Sequence, residues 1–219
     1  MAHVIPFHGT LYNPATVGDV RQVVAPPYDI IDATLQKTLH DRHPNNVIRL
    51  ELSYEQPGDT TGDNKYLRAA GALKEWLKSG ALRRDDKPAI YYHTIEYQPP
   101  YSAPGTPTKV FKGFLSTVEL EEFGSGKIYP HENTRAAAKT DRFNLLEACR
   151  ANFSAIISLY SDPQNDVLTL IEQSIASDKP RIDFQDDVGF RQRLWSVTDP
   201  AVLAKVVEIM HTKQLFIAD

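Results

Sequence analysis

The sequence predicts an α+β fold, a mixed and largely antiparallel sheet with packed helices. Three observations lead there. Two runs rich in aromatic and β-branched residues, Ile90–Tyr97 and Lys109–Leu120, flank a proline-rich break, as the arms of a hairpin do. Apolar residues keep helical spacing in Tyr66, Ala70, Leu73 and Leu77, and again in Val202, Leu203, Val206, Val207 and Met210. Capping pairs, Ser79-Gly80 and Asp199-Pro200, stand where those helices end or begin.

Along the chain, Val4–Tyr12 reads as a first strand closed by a turn at Asn13-Pro14. The apolar run Val23–Ala25 stops at Pro26-Pro27-Tyr28-Asp29, where two prolines fix φ and remove two donors. Asp32 is placed to cap a helix over Ala33–Asp41. In Val47–Leu52, Val47, Arg49 and Glu51 alternate with Ile48, Leu50 and Leu52, the pattern of a half-buried strand with its charges on one face. Gln56–Asp63 is polar and contains glycine, hence a loop, and the Tyr66–Leu77 helix follows with Ala69 and Trp76 alongside its stripe. Between the hairpin arms, Gln98–Pro107 holds four prolines and one glycine and is expected to be exposed. Lys127–Pro130 ends a further strand, and a helix running to about Asn152 should bury Phe143, Leu146 and Cys149. Ser154–Tyr160 reads as a strand, Asp162-Pro163 opens a helix through about Ser177, Phe190–Val197 alternates as a strand, and Gln214–Ala218 is a final strand.

A length of 219 residues fits a single α+β domain over 1–219, or two lobes at about 1–85 and 86–219. The net charge of −4 speaks against a dedicated nucleic-acid binder. Cys149 is the one cysteine, which fits a reducing compartment and a packing role. No leader pattern opens the chain, and no apolar run nears the roughly 18 residues of a membrane span. The expectation is a cytoplasmic protein that binds neither membrane nor nucleic acid.

Five phrases carry a resemblance. They are Ala25-Pro26-Pro27-Tyr28-Asp29-Ile30-Ile31, Pro44-Asn45-Asn46-Val47-Ile48-Arg49-Leu50-Glu51, Pro130-His131-Glu132-Asn133-Thr134, Lys139-Thr140-Asp141-Arg142 and Leu215-Phe216-Ile217-Ala218-Asp219. In order and spacing they resemble the bacterial domain-of-unknown-function 1015 family. The resemblance implies the N-terminal part of a longer protein whose second half is helix-rich, and it carries no activity with it. An apolar strand ending at Asp219 agrees with truncation. It implies an apolar surface near Phe216, to be covered by further chain or by a homodimer contact.

The densest polar cluster is His131, Glu132 and Thr134, followed by Lys139, Asp141 and Arg142, at a strand-to-helix junction. Backbone N–H groups at a helix start attract anions, and Lys139 and Arg142 add positive charge. There His131 or Glu132 would transfer a proton and Asp29 would orient the acceptor, while Tyr28, Arg49, Glu51 and Thr134 would line the ligand. The expected ligand is an anionic small molecule, either a phosphate or nucleotide or a carboxylate metabolite. Phosphoryl transfer would bring a nucleotide and magnesium as cofactors. The plainer alternatives are a capped helix with a solvated charged face, an exposed Arg49–Glu51 ion pair and an Asp29 turn. No metal motif is present, because Arg135 stands where a zinc helix after His131 needs its second histidine. The competing function is a non-catalytic ligand-sensing or protein-interaction module. An enzyme requires Tyr28/Asp29, Arg49/Glu51 and the His131–Arg142 segment to meet at one site.

Overall fold

A computed structural model of the chain describes residues 2–103, 105–124, 126–130 and 136–218. Among these, seven α-helices and eleven strands form an α+β fold of small, mostly antiparallel sheets. The chain divides into two compact units, each assembled from separate stretches. The first comprises Met1–Gly9, Asp85–His131 and Ile156–Asp219, and the second Thr10–Arg84 and Glu132–Ala155.

In the first unit, β1 (Val4–Ile5) pairs antiparallel with β6 (Thr117–Val118). The hairpin forms as β4 (Ile90–Tyr97) and β5 (Lys109–Leu115), and the described residues of the loop between them are mostly exposed. With β9 (Ile182–Gln185) and β10 (Arg191–Val197) they complete an antiparallel sheet in the order β5-β4-β10-β9. A smaller sheet places β11 (Leu215–Ile217) between β7 (Ile128–Tyr129), to which it runs parallel, and β8 (Ser158–Leu159), to which it runs antiparallel.

The core of this unit follows from periodicity. Ile90 and Tyr92 lie two residues apart on β4 and so share a face. They meet Val167 and Ile171 of α6 (Asp166–Ser174) and Leu203, Val206 and Met210 of α7 (Pro200–Met210), spaced as one helical stripe. Asp199 caps α7 by accepting from the N–H groups of Ala201 and Val202, with Pro200 at the first helical position. The expected strand Val4–Tyr12 is interrupted at Gly9, whose N–H donates to the Tyr91 hydroxyl at 2.7 Å. A Cβ at Gly9 would lie 2.5 Å from the Tyr91 ring, so glycine is required there by close approach.

In the second unit, β2 (Thr10–Tyr12) pairs with β3 (Leu82–Arg84). The helices are α1 (Pro14–Val17), α2 (Ala33–Arg42), α3 (Ile48–Glu51), α4 (Lys65–Ser79) and α5 (Ala136–Cys149). Val17, Val23, Leu50, Trp76, Ala81 and Leu82 form its core. Asp32 accepts from the Leu35 N–H and starts α2 where its capping chemistry places it. Asn64 does the same for α4, which Gly80 ends in the left-handed conformation at φ 76°.

Three expectations are corrected here. Val47–Leu52 is not a strand but holds the single-turn helix α3. The reason is Asn46, which is wholly buried. Its amide donates to the carbonyls of Gln22 and Val24, its oxygen accepts from the Ile48 N–H, and the Val47 N–H donates to Val23. Those tertiary bonds set the chain direction against the alternating pattern. On α5 the buried residue is Leu145, whereas Phe143 is 60 % exposed and Leu146 41 %. The strand expected over Ser154–Tyr160 shrinks to Ser158–Leu159. No helix among the described residues is long and apolar enough to cross a membrane.

Candidate functional site

Within the second unit, α5 carries Asp141 and Arg142 toward Glu51 at the end of α3 and toward Lys65 and Tyr66 at the start of α4. Arg142 Nη1 donates to Glu51 Oε1 at 2.7 Å, and Nη2 to the Glu51 carbonyl at 3.1 Å. Its Nε donates to Asp141 Oδ2 at 3.0 Å. The guanidinium lies 4.2 Å from the centre of the Tyr28 ring, a cation–π contact. Pro27 positions Tyr28 by opening the short 3-10 turn Tyr28–Ile30. Ser154 adds a hydroxyl donor to Glu51 Oε1 at 2.8 Å. The Glu51 side chain is only 7 % exposed, so its charge depends on these donors.

Asp141 is the hub of the other half. Oδ1 accepts from Lys65 Nζ and from the Tyr66 hydroxyl, each at 2.8 Å. Burial pushes this carboxyl up, but hydrogen bonds from Lys65, Arg142 and Tyr66 outweigh it and hold it at about 2. Burial works against the Lys65 charge, and Asp141 and Glu55 overcome it, keeping the ammonium above its usual range. The Tyr66 phenol is raised, first by burial and then by Asp141.

A cleft opens between these groups, lined by Glu51, Ser53, Lys65, Tyr66, Arg142 and Leu145 among others. The room enclosed there is small, about 10 Å³, enough for about one water, and it opens to solvent. In the ion pairs along it, three carboxylates (Glu51, Glu55, Asp141) face two cations (Lys65, Arg142).

Of the residues singled out from sequence, Tyr28, Glu51 and Arg142 are in direct contact. Asp29 is exposed in the same turn as Tyr28. Arg49 does not share a face with Glu51, which corrects the strand-based pairing. Two residues apart on a helix point roughly 200° away from each other, and Arg49 Nη2 donates instead to the His40 carbonyl at 2.6 Å. Lys139 is exposed on α5. His131, Glu132 and Thr134 lie outside the described residues.

Sequence reasoning missed Lys65, Tyr66 and Ser154. The one available signal was the position of Lys65 and Tyr66 directly after the Asn64 cap, where a helix start turns its first side chains toward neighbours. Arg142 is also less free than its sequence context implies, since all three of its nitrogens are engaged within the protein.

Residues 4–219 match the model of the family described as "Protein of unknown function (DUF1015)". No curated protein and no solved structure matches the chain.

Proposed function

We propose that this chain, which belongs to the DUF1015 family, binds a small anionic metabolite at the Lys65–Tyr66–Arg142 cleft. The observation that carries this reading is the convergence on one open cleft of a buried carboxylate, two cations and the Tyr66 phenol from sequence-distant segments, with the Tyr28 ring against Arg142. Buried ion pairs lose solvation that their mutual attraction barely restores, so apolar packing would stabilise the unit as well or better. Such a network at a cleft, with Asp141 strongly perturbed, supports recognition rather than folding alone.

Charge favours a carboxylate metabolite over a nucleotide. The space enclosed at the cleft, about 10 Å³, holds about one water, so a ligand must sit on its open side. A triphosphate would meet an excess of carboxylates. A ligand carboxylate beside Lys65 and Arg142, with an amino group toward Glu51 and Glu55, satisfies both signs. Proton transfer, where the ligand undergoes chemistry, falls in this reading to Glu132. Asp29 would orient the acceptor, and Thr134 and Lys139 would add donors.

Thermal-shift and calorimetric titration with L-aspartate, malate, inorganic phosphate and magnesium-ATP tests this. The expected result is stabilisation by a carboxylate, weakened at least about tenfold by Lys65→Met with an unchanged circular-dichroism spectrum. Silence toward all four compounds, or binding of magnesium-ATP alone regardless of Lys65, would overturn it.

A further inference from the structure

In the second unit, buried polar atoms without partners gather in one place. Among the described residues, His40 Nδ1, His40 Nε2 and Arg49 Nε are buried and make no hydrogen bond. Such atoms are rare in folded proteins, and each signals a function or a strain. His40 is 6 % exposed on α2, beneath the Tyr54 ring, with ring centres 4.0 Å apart and planes 20° from parallel. Around it, α2 and α3 are joined by two hydrogen bonds. Arg49 donates to the His40 carbonyl, and the Gln36 side chain donates to the Leu52 carbonyl at 2.8 Å. The same α3 presents Glu51 to Arg142.

We propose that His40 is a pH-sensitive latch: neutral, it lets α2 pack on α3; protonated, it drives the two helices apart and loosens the Glu51–Arg142 pair. Its consequence for ligand binding rests on the function proposed above; the latch itself does not.

The groups facing the ring explain the direction. Burial disfavours the imidazolium most, and the Arg49 guanidinium adds repulsion. The Leu52 carbonyl, near the ring but outside hydrogen-bonding geometry and taken by Gln36, and Asp41 act in the opposite sense, but Asp41 is already held by Lys37 from the same helix. The outcome is an imidazole pKa below its ordinary value of 6.5. Above that value folded and open forms are both neutral, and the latch is at full strength. As pH falls below it, the open form takes up a proton that the closed form resists. The closed fraction then weakens by up to about tenfold per pH unit, until the buried ring itself titrates.

Hydrogen exchange of the full chain at pH 7.5 and 5.5, corrected for intrinsic exchange, provides the test. Peptides covering 36–42 and 47–54 should lose protection several-fold more at pH 5.5 than peptides from α6 and α7. His40→Phe keeps a ring beneath Tyr54 without a titrating group, so its protection should not change between the two pH values. An equal acid response in His40→Phe, or one spread evenly over both units, overturns the latch. If His40→Phe does not fold, NMR titration of His40 in the unaltered chain decides. A value below the ordinary one, with α3 signals moving alongside, supports the latch, and titration near 6.5 with α3 unmoved refutes it. Failure of the ligand titrations alongside a positive exchange result would remove the proposed function and leave the latch standing.

Discussion

Replacing Arg142 by methionine strips four hydrogen bonds from the second unit, two to Glu51 and two to Asp141. Asp141 keeps Lys65 and Tyr66, so most of the loss falls on Glu51, which retains only the Ser154 hydroxyl among the donors described above. Removing one partner of a buried pair costs about 3–5 kcal/mol, because the remaining charge is stranded. Arg142 is 24 % exposed, which lets water reach part of the site and puts the expected loss at the lower end, about 3 kcal/mol. Glu51→Gln alone should cost about 1–1.5 kcal/mol, since a neutral amide still pairs with Ser154. The double variant should lose about 3 kcal/mol rather than the sum, a coupling of about 1–1.5 kcal/mol. The chain has two tryptophans, and they report on different units. In a Trp195→Phe background, urea unfolding followed by the emission of the buried Trp76 reads the second unit alone. A loss under about 1 kcal/mol, or strict additivity, would refute the claim that Glu51 and Arg142 depend on each other.

Two further outcomes are expected from the same structure. The Asp141 carboxyl is held at about 2 against an ordinary 3.8, so its contribution is complete above the ordinary value and disappears as pH falls through the lower one. Urea midpoints between pH 4 and 2 should drop less steeply in Asp141→Asn than in the unaltered chain. Gly9→Ala would set a methyl 2.5 Å from the Tyr91 ring and hydroxyl, which donates to Asp85 and accepts from the Gly9 N–H. The first unit should lose about 1–3 kcal/mol, read from Trp195 in a Trp76→Phe background.

Where local chemistry decides the backbone, the sequence was readable. Asp32, Asn64 and Asp199 each act on amides two or three residues away, and Gly80 relies only on its own freedom to take positive φ. Tertiary bonds defeated the reading at α3. Six residues are too few to separate a strand period from a single helical turn, and the deciding partners of Asn46 lie at Gln22 and Val24. Strands β3 and β9 escaped because both are short and put charged or polar side chains on their outward positions. Tyr28, Glu51 and Arg142 were legible as residue types, while their meeting with Lys65 and Tyr66 depends on contacts that no local pattern encodes.

The engagement of Arg142 changes what binding at this cleft must involve. A guanidinium with four of its five N–H groups already given to Glu51 and Asp141 cannot grip an incoming carboxylate in bidentate fashion without releasing one of them. Asp141 has further donors in Lys65 and Tyr66 and can stand the exchange. Glu51 is buried and has far less to fall back on, so displacing it is the costlier route. Capture of a carboxylate through the Asp141 side therefore leaves α3 in place, whereas capture through Glu51 must disturb α3, the helix that Arg49 and Gln36 tie to α2. The two routes differ in a measurable way. Exchange through Asp141 predicts affinity that depends on Lys65 and Tyr66 and no change in α3 protection on ligand addition. Exchange through Glu51 predicts a loss of α3 protection when ligand binds, and binding that is linked to the protonation of His40.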